Sequence, residues 1–567
     1  MALNIPGVTV MILFYLLVLG IGIWASIKSK KEAKKGNGNK TEMALLGNRG
    51  ISLVIGIFTM TATWVGGGFI VGTAEAVYNP SMGLTWAVMP ITATMCFVIG
   101  GLFFAEPMRN NKYVTMMDPF QIKYGKVATA ALSVASLISE IMWVTGTLIG
   151  LGVTMSVILD FSYTVSIWIS AAVAITYTLM GGLYSVAYTD VIQLVLIFVS
   201  LWLCVPFSLM NPAVMDITET AYNNTFQSPW LGTVDADRAW WWIDNFLILG
   251  LGNLGLQNFH QRTLSAASSS TAKITCFAAA FIVPTLGIPP ILLGAAAAST
   301  NWNLTSYGSP SPFVRGETGL ILPIVLQHLT PTYISIIGIG AVAAAVMSST
   351  DSALLSAASI FTSNIYKSIL RVQASDQEIQ WVIRISVVIM GLAGTSLTFL
   401  DNSVLMIWML RADLTYTLML PQLVCVLFFK ISNGYGAVLG CTLGMLLRVL
   451  CGEPLLRIPP IIQFPGCRMV NGVYVQHAPI RTICMLSTVV FVLLFSYLAS
   501  FLFNRGLIPE KLDVFKVKAQ SSTKSETVAK DVKDFEEQNM NNEVYEPMLE
   551  STYLEAHKNT KQSPDKS

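Results

Sequence analysis

The sequence predicts an all-α polytopic membrane protein, and two features of the chain support this prediction. Of its 567 residues, 53% are hydrophobic and only 12% are charged, which is more apolar surface than one soluble core can bury. Apolar runs long enough to cross a bilayer recur about thirteen times along the chain. Their centres lie near residues 16, 62, 95, 145, 172, 200, 250, 284, 347, 390, 416, 442 and 492.

Basic residues predict the orientation of these spans. Six lysines and one glutamate occupy the segment from Lys28 to Lys40. Other basic residues follow later spans: Arg109, Lys112, Lys123, Lys126, Lys367, Arg371 and Lys430. By the positive-inside rule all of them lie in the cytoplasm. With an odd number of spans, the N-terminus is therefore expected outside the cell and the C-terminus inside.

Sequons and cysteines mark the predicted outer loops. The sequons at Asn223 and Asn303 fall in loops that this topology makes extracellular, whereas the one at Asn39 falls inside. Asn223 and Asn303 are therefore the predicted glycosylation sites. Cys451 and Cys467 flank another outer loop. Their spacing is compatible with a disulfide between them and equally with two free thiols.

The chain divides into four predicted segments. Residues 1–48 hold an outer N-terminal segment, the first span and a basic cytoplasmic loop, and residues 49–430 form the transport core. Residues 431–510 add C-terminal spans with an extracellular loop. Residues 511–567 are rich in charged and hydroxyl residues and predict a disordered cytoplasmic tail. Its segment EPML, 546–549, is either a signal for endocytic adaptors or a chance apolar pair.

The segment Ile57–Glu75, IFTMTATWVGGGFIVGTAE, is the most informative in the sequence because three consecutive glycines interrupt an apolar span. An interrupted membrane helix frees backbone carbonyls that lipid cannot hydrate, so a break is tolerated only where it lines a cavity. Close helix packing through small residues is the alternative, but such residues recur every three or four positions. The run therefore predicts an unwound segment that binds an ion and a small solute.

Hydroxyl groups and one carboxylate cluster in the span that contains Ala345–Ser352, AVMSSTDS. A carboxylate within a span costs several kcal/mol unless it is paired, roughly 3 kcal/mol on insertion scales. Oxygen ligands of this kind suit a hard monovalent cation. Serines that bond to their own helix carbonyls would explain the hydroxyls, but they leave Asp351 unexplained. The segment therefore predicts a cation site.

Two further segments carry candidate residues. In Gly181–Gln193, a glycine pair predicts a cytoplasmic turn and Asp190 opens the next span. Support of the helix N-terminus is an equal explanation for this acid. The glycines of Gly250–Gly255 predict a second discontinuous helix, with Arg262 at its cytoplasmic end. A flexible span anchored by that arginine is the alternative.

These segments together resemble the sodium/solute symporter family, and nearly the whole chain from Val8 to Phe515 resembles its choline-carrying branch. The shared stretches are FTMTATWVGGG, GTAEAVY, GGLFFAEPMR, GGLYSVAYTDVIQ, PWLGTVD, LPIVLQ, AAVMSSTDS and KLDVF. The resemblance implies two inverted five-helix repeats with broken first helices, extra N- and C-terminal spans, and alternating access around a site at the repeat interface.

The resemblance also implies ion ligands at specific positions. The principal sodium site would use three carbonyl and two hydroxyl oxygens, those of Ala62, Val65, Ala345, Ser348 and Ser349. A second sodium position, present in some members, would use Thr63, Asp190 and Asp351. The resemblance implies dependence on chloride as well.

Choline is a quaternary ammonium, which aromatic faces bind through the ring quadrupole. Trp64, Trp143 and Trp408 match aromatic positions of the choline carriers' site. Those carriers have aromatic residues where this chain has Ala93 and Leu256. The loss of two aromatic walls predicts an affinity lower by a factor on the order of 10 to 1000.

Arg411 is a second departure from the choline carriers, which have a small polar residue at this position. It lies one turn after Trp408, and an arginine beside a cation site is repulsive unless it is paired. Asp413 or Asp401 is the expected counter-ion.

We therefore expect a sodium-coupled, chloride-dependent plasma-membrane symporter that takes up choline or a similar organic cation for neurotransmitter synthesis and also resides in synaptic and endosomal vesicles. One alternative is a sodium symporter for another organic cation or a neutral solute. Another is a sensor or channel that uses the same fold without transport. An enzyme is not expected, because the four histidines show no metal-binding spacing, and a net charge of +2 argues against nucleic acid.

Overall fold

The structure is a computed structural model, and it describes residues 5–35, 40–159, 162–399, 403–454, 456–470 and 472–518. Almost all of the described secondary structure is helical. The strands within these ranges are the antiparallel pair β1 (Arg468–Val470) and β2 (Val473–Val475). The prediction of an all-α fold is confirmed.

The N-terminal half is a series of helices that begin and end at glycine or proline positions or at loops. They are α1 (Ile5–Lys35), α2 (Lys40–Leu46), α3 (Leu53–Trp64), α4 (Gly67–Tyr78), α5 (Met89–Ile99), α6 (Ala105–Asn110), α7 (Asp118–Tyr124), α8 (Lys126–Leu159), α9 (Tyr163–Gly181), α10 (Leu183–Leu209) and α11 (Ile217–Thr220). The π-helical stretch Gly100–Phe104 joins α5 to α6. Gly182, at φ +80°, makes the predicted turn between α9 and α10.

The C-terminal half continues the helical series. It contains α12 (Ala239–Leu251), α13 (Gln257–Ser265), α14 (Ser269–Ala298), α15 (Ile321–His328), α16 (Thr332–Ile360), α17 (Asp376–Leu397), α18 (Val404–Leu414), α19 (Leu420–Phe428), α20 (Gly434–Leu450) and α21 (Ile480–Asn504). The π-helical stretch Phe361–Leu370 extends α16, and Thr415–Met419 joins α18 to α19. Short 3₁₀ turns lie at Gly47–Arg49, Leu84–Trp86, Ala236–Arg238, Gly252–Gly255, Trp302–Leu304, Thr318–Leu320 and Glu510–Leu512.

Each of the predicted span centres falls inside a helical segment. In the described part of the chain, 8 helices are long and apolar enough to cross a membrane, and α3 with α4 makes a ninth span bent by 48°. Other apolar helices, such as Tyr163–Thr176 and Gly434–Leu450, are shorter than that criterion. The multi-span fold is therefore confirmed, while the number thirteen stays a prediction.

Two sets of five spans form the core, and each set begins with a broken helix. The first set runs from α3/α4 to α10, and the second from α12/α13 to α18/α19. Helix α16 of the second set packs against α8 and α10 and contacts both halves of the broken α3/α4. The predicted ion segment on α16 therefore lies against the glycine run of the other repeat.

The two ends of the helical core differ in chemistry. At one end, Asn223 and Asn303 are exposed on loops that are held together by an antiparallel bridge between Val214 and Thr300. At the other end, Arg109 donates from Nε to the carbonyl of Ala266 at 2.7 Å, beside the start of α3. The two exposed sequons and Arg109 thus lie at opposite ends of the core, while the orientation of the chain in the membrane stays a prediction.

The C-terminal region gives a different cysteine pairing from the one considered above. Helices α20 and α21 pack in antiparallel fashion, with Gly436 against Ser496 and Gly444 against Thr488, and the Sγ atoms of Cys451 and Cys484 lie 4.0 Å apart. All three cysteines are free thiols, with Cys451 and Cys484 buried and Cys467 partly exposed. The segment from Lys511 to Lys518 is also ordered by packing, because Phe515 contacts the ring of Tyr435 at 4.8 Å. The rest of the predicted tail, with its EPML segment, lies outside the described residues.

Candidate ion and solute site at the helix breaks

The break between α3 and α4 releases backbone carbonyls at the centre of the fold. Val65 (φ −81°, ψ 64°) and Gly66 (φ −100°, ψ −175°) leave helical geometry, and the Gly66 N–H bonds to the carbonyl of Trp64 at 2.9 Å. In an unbroken helix that N–H would bond to the carbonyl of Ala62. The Ala62 carbonyl instead accepts a hydrogen bond from Ser348 Oγ at 2.7 Å.

The glycine run serves both the unwinding and a close approach between helices. A Cβ atom at Gly66 would lie 1.9 Å from Ser349 Oγ, and one at Gly67 would lie 2.4 Å from Val346 Cγ2. A Cβ at Gly68 would lie 2.4 Å from the ring of Trp408. Each glycine therefore faces a different neighbour. The run both unwinds the helix and allows close packing, so the two explanations considered for it apply at the same time.

The five expected ligands of the principal sodium site come together here. Ala62 and Val65 end α3, and Ser348 and Ser349 face them from α16, with Ser349 Oγ donating to the carbonyl of Thr63 at 3.0 Å. The carbonyl oxygen of Ala345 is also close, 3.5 Å from the position of a Gly66 Cβ. All of these residues are fully buried. Such a set of neutral oxygen donors fits a hard monovalent cation.

Arg262 lies among the residues expected for the second sodium. It is 4% exposed, and its Nε donates to Thr63 Oγ1 at 3.0 Å. Its Nη2 lies 3.5 Å from Asp190 Oδ2 and also donates to Ser352 Oγ. Asp351, the third expected ligand, is within electrostatic range of the same guanidinium. A cation from the chain itself therefore occupies the centre of this cluster.

Two interpretations from the sequence change as a result. Asp190 lies about two turns inside α10, is fully buried and accepts from Thr59, so support of the helix N-terminus does not explain it. Arg262 is in the last turn of α13, as expected, but it points into the core and does not anchor a flexible span. The nearby acids on α10 and α16 were the only sequence signal for this role.

The three predicted tryptophans form one aromatic cluster beside the α3/α4 break. The ring centroids of Trp64 and Trp143 are 5.6 Å apart, and those of Trp143 and Trp408 are 5.3 Å apart. All three are at most 3% exposed. Two residues that the sequence reasoning missed complete the cluster, since Phe97 and Phe259 lie 5.0 and 6.1 Å from Trp64.

The two positions that lack an aromatic residue border the same cluster. Ala93 lies one turn before Phe97 on α5, and Leu256 is the extended residue between Gly255 and α13. They are 2% and 1% exposed. Because residues four apart share a helix face, the position of Ala93 could have indicated that Phe97 faces the same site. A phenylalanine in an apolar span gives no other indication of a binding role.

Arg411 lies on the faces of two of the tryptophans. Its guanidinium carbon is 4.6 Å from the ring centroid of Trp143 and 5.4 Å from that of Trp408. The side chain is completely buried, and Nη2 donates to Asn253 Oδ1 at 2.9 Å. In this structure a guanidinium thus occupies aromatic faces that were expected to hold the substrate's ammonium.

Of the two counter-ions expected for Arg411, Asp413 is wrong. Asp413 binds Arg448 through Oδ2 and lies 3.7 Å from Arg481 Nε. Asp401 is outside the described residues. In the described part of the chain, Arg411 has no ion pair with a carboxylate, and its Nε and Nη1 have no hydrogen-bond partner. Among the described carboxylates, Glu140 of α8 is the one that acts electrostatically on Arg411.

A cavity of about 570 Å³ leads toward the cluster from the end of the fold that carries the sequons. Its lining includes Trp86, Trp241, Glu75, Asp244 and Leu410. Leu410 directly precedes Arg411 in α18, whereas none of the three tryptophans of the cluster is in the lining. We call this cavity the vestibule.

Comparisons with known proteins agree with this architecture. Residues 45–444 match the model of the Sodium:solute symporter family. A high-affinity choline transporter 1 from Torpedo marmorata is 49% identical over 518 residues, which cover 90% of this chain and 89% of that relative. The high affinity choline transporter 1 of Homo sapiens is 49% identical over 516 residues, covering 91% and 89%.

Among solved structures, a Na⁺-coupled sialic acid symporter in a substrate-bound outward-open state has a similar fold. The TM-score is 0.69 at 18% identity, and the match covers 87% of this chain and 97% of that one. At this identity the likeness concerns the fold alone.

Proposed function

This chain belongs to the sodium:solute symporter family, and we propose that it carries choline or a closely related quaternary ammonium solute into cells by alternating access. It is a multi-span membrane transporter and not an enzyme. The observation that carries the proposal is the α3/α4 break, where carbonyls freed from the helix meet Ser348 and Ser349 beside the indole of Trp64.

Sodium couples to the solute through the two repeats. A sodium ion at the break takes oxygen ligands from α3 and from α16, so its binding holds the broken helix of one repeat against the other. The solute binds next to the same broken helix, at Trp64. By linkage, each ligand raises the affinity of the site for the other.

For alternating access, the site in this proposal is reached from the vestibule on one side and is sealed by side-chain contacts on the opposite side. The sequon-bearing end with its vestibule is extracellular, and the end with Arg109 is cytoplasmic, which follows the positive-inside rule. Arg262, bonded to Thr63 on α3 and to Ser352 on α16, closes the cytoplasmic side. The plasma membrane is the proposed location, with synaptic and endosomal vesicles along its route, and chloride is the proposed accompanying anion.

The direct test is sodium-driven uptake of radiolabelled choline into cells that express the full chain. Uptake should exceed that of untransfected cells and should disappear when N-methyl-D-glucamine replaces sodium. Uptake that is the same with and without the sodium gradient would overturn the proposal. A solute-gated current without accumulation of solute would instead indicate a sensor or channel.

Arg411, Ala93 and Leu256 favour a second candidate, a sodium symporter whose solute differs from choline in shape and charge. Similarity to the choline transporters does not distinguish the two candidates for this chain, because these three positions lie at the aromatic cluster itself.

A further inference from the structure

The cluster around Arg411 contains more hydrogen-bond donors than the protein satisfies. Four buried donor nitrogens have no acceptor in the described residues: Nε and Nη1 of Arg411, and the indole Nε1 of Trp143 and of Trp408. Unsatisfied buried donors are costly, and those on a charged group are the most costly. The cost of these donors is offset when a bound solute supplies hydrogen-bond acceptors for them.

Choline does not supply them. Its head is a quaternary ammonium without acceptors, and its single hydroxyl oxygen is a weak match for a guanidinium. A carboxylate has two oxygens with about four lone-pair positions and binds an arginine in bidentate fashion. The donor set therefore fits an anionic group of the solute.

Glu140 provides the complementary charge. It is completely buried on α8, one turn before Trp143, and its Oε1 accepts from the backbone N–H of Gln257 at 3.1 Å. Its Oε2 has no partner in the described residues. Glu140 acts electrostatically on Arg411, but the described side chains form no hydrogen bond or ion pair with each other. The site thus holds one positive and one negative group, each with free bonding capacity.

We infer that Arg411 binds a carboxylate of the transported solute, so that the chain prefers a zwitterionic trimethylammonium carboxylate, such as glycine betaine, to choline. This inference rests on the proposed function as a symporter for quaternary ammonium solutes. The carboxylate lies against Arg411, and the trimethylammonium lies toward Glu140 and Trp64, where Ala93 and Leu256 leave the aromatic wall incomplete.

Charge balance supports the same assignment. With sodium bound, the formal charges of the buried region already balance, since sodium, Arg411 and Arg262 stand against three carboxylates, those of Glu140, Asp190 and Asp351. Choline would add one uncompensated positive charge. A zwitterion adds no net charge. Since the interaction between charges is strong away from water, the zwitterion is the solute that this site accommodates at the lower cost.

Glycine betaine and choline are a matched pair of probes, because they share the trimethylammonium and differ at the other end. The solute concentration that half-saturates sodium-driven uptake should be lower for glycine betaine than for choline. One charge-assisted hydrogen-bonded contact corresponds to a factor on the order of 10 to 100. Arg411→Ser should abolish this preference, and Arg411→Lys should retain part of it. Arg384→Ser is the matched control, since Arg384 is an exposed arginine stacked on Trp381 at 5.2 Å.

Each outcome of this experiment decides the inference. Saturable sodium-driven choline uptake that glycine betaine does not inhibit would overturn it and leave the proposed function intact. Choline uptake that needs chloride in the parent chain but not in Arg411→Ser would also overturn it, because chloride would then be the anion at Arg411. No sodium-driven uptake of either solute would overturn the proposed function as well. If Arg411→Ser fails to reach the cell surface, the comparison of the two solutes on the parent chain is sufficient.

Discussion

Ser349 and Thr63 are joined across the interface of the two repeats by a hydrogen bond of 3.0 Å from the serine hydroxyl to the threonine carbonyl. Thr63 is on the last turn of α3, just before the break, and Ser349 is at the middle of α16. No other secondary-structure element intervenes between these two groups. A change at Ser349 therefore acts directly on the site proposed for sodium.

The substitution Ser349→Ala should weaken sodium activation of uptake. It removes one oxygen ligand and leaves the Thr63 carbonyl without its donor, so the half-activating sodium concentration should rise by about 10-fold. Ser396→Ala is the control, because the Ser396 hydroxyl bonds only to its own helix at Leu392, at 2.9 Å on the exposed face of α17. Unchanged sodium activation in Ser349→Ala would contradict the sodium assignment.

The substitution Gly66→Ala should abolish transport even though it adds one methyl group. The new Cβ would lie 1.9 Å from Ser349 Oγ, so the break could not remain closed against α16. Gly340→Ala, on α16 itself, adds the same methyl group where no atom lies within 4 Å. Uptake per molecule at the cell surface should therefore be lost in the first variant and retained in the second. Equal uptake by both variants would show that the close approach is not required.

The sequence was sufficient for features whose chemistry is local. Three consecutive glycines within an apolar span indicate a broken helix whatever surrounds them, and Asp351 within a span indicates a polar partner. The aromatic cluster was partly predictable, since tryptophan beside glycine is unusual at mid-membrane. Phe97 and Phe259 were not, because phenylalanine is ordinary in a membrane helix.

Features that depend on how distant helices pack could not be predicted. Arg262 was correctly placed at the end of α13, but its partners on α3 and α16 are separated from it by 199 and 90 residues. The expected counter-ion of Arg411 was chosen by nearness in sequence. The fold directs Asp413 to Arg448 instead, because the two side chains at positions 411 and 413 leave the helix in different directions.

Removal of Arg262 should destabilise the protein strongly. The ion pair of Arg262 with Asp190, at 3.5 Å, is almost completely buried, so Arg262→Ala would leave a buried carboxylate uncompensated at a cost of about 3–5 kcal/mol. The unfolding temperature of the detergent-solubilised protein should fall accordingly. The double substitution Arg262→Met with Asp190→Asn should recover part of the loss, because it removes both charges.

Arg468 offers a matched control for this prediction. Its ion pair with Asp237 has a similar distance, 3.4 Å, but both side chains are about half exposed, at 63% and 47%. Arg468→Ala should therefore change stability by less than about 1 kcal/mol. A comparable loss in Arg262→Ala and Arg468→Ala would show that the Arg262 cluster does not stabilise the closed inner side.

Cys451 and Cys484 should form a disulfide in the mature protein. Their Sγ atoms are 4.0 Å apart at the vestibule end, which the proposed topology places on the oxidising side of the membrane. Oxidation removes two protons and two electrons, and a disulfide-bearing oxidoreductase of the secretory lumen accepts both as its own disulfide is reduced to a dithiol. The bond would close the loop between α20 and α21 and add about 2–4 kcal/mol of stability.

Mass spectrometry of peptides from the alkylated, non-reduced protein tests this pairing. A peptide that links Cys451 to Cys484 is expected, while Cys441, a partly exposed thiol on α20, should be alkylated as an internal control. Cys451→Ser should make Cys484 reactive after denaturation and remove the effect of reductant on the unfolding temperature. A peptide that links Cys451 to Cys467 would show instead that the outer loop rearranges when it is oxidised, and alkylation of both Cys451 and Cys484 in the parent chain would show that the two thiols stay reduced.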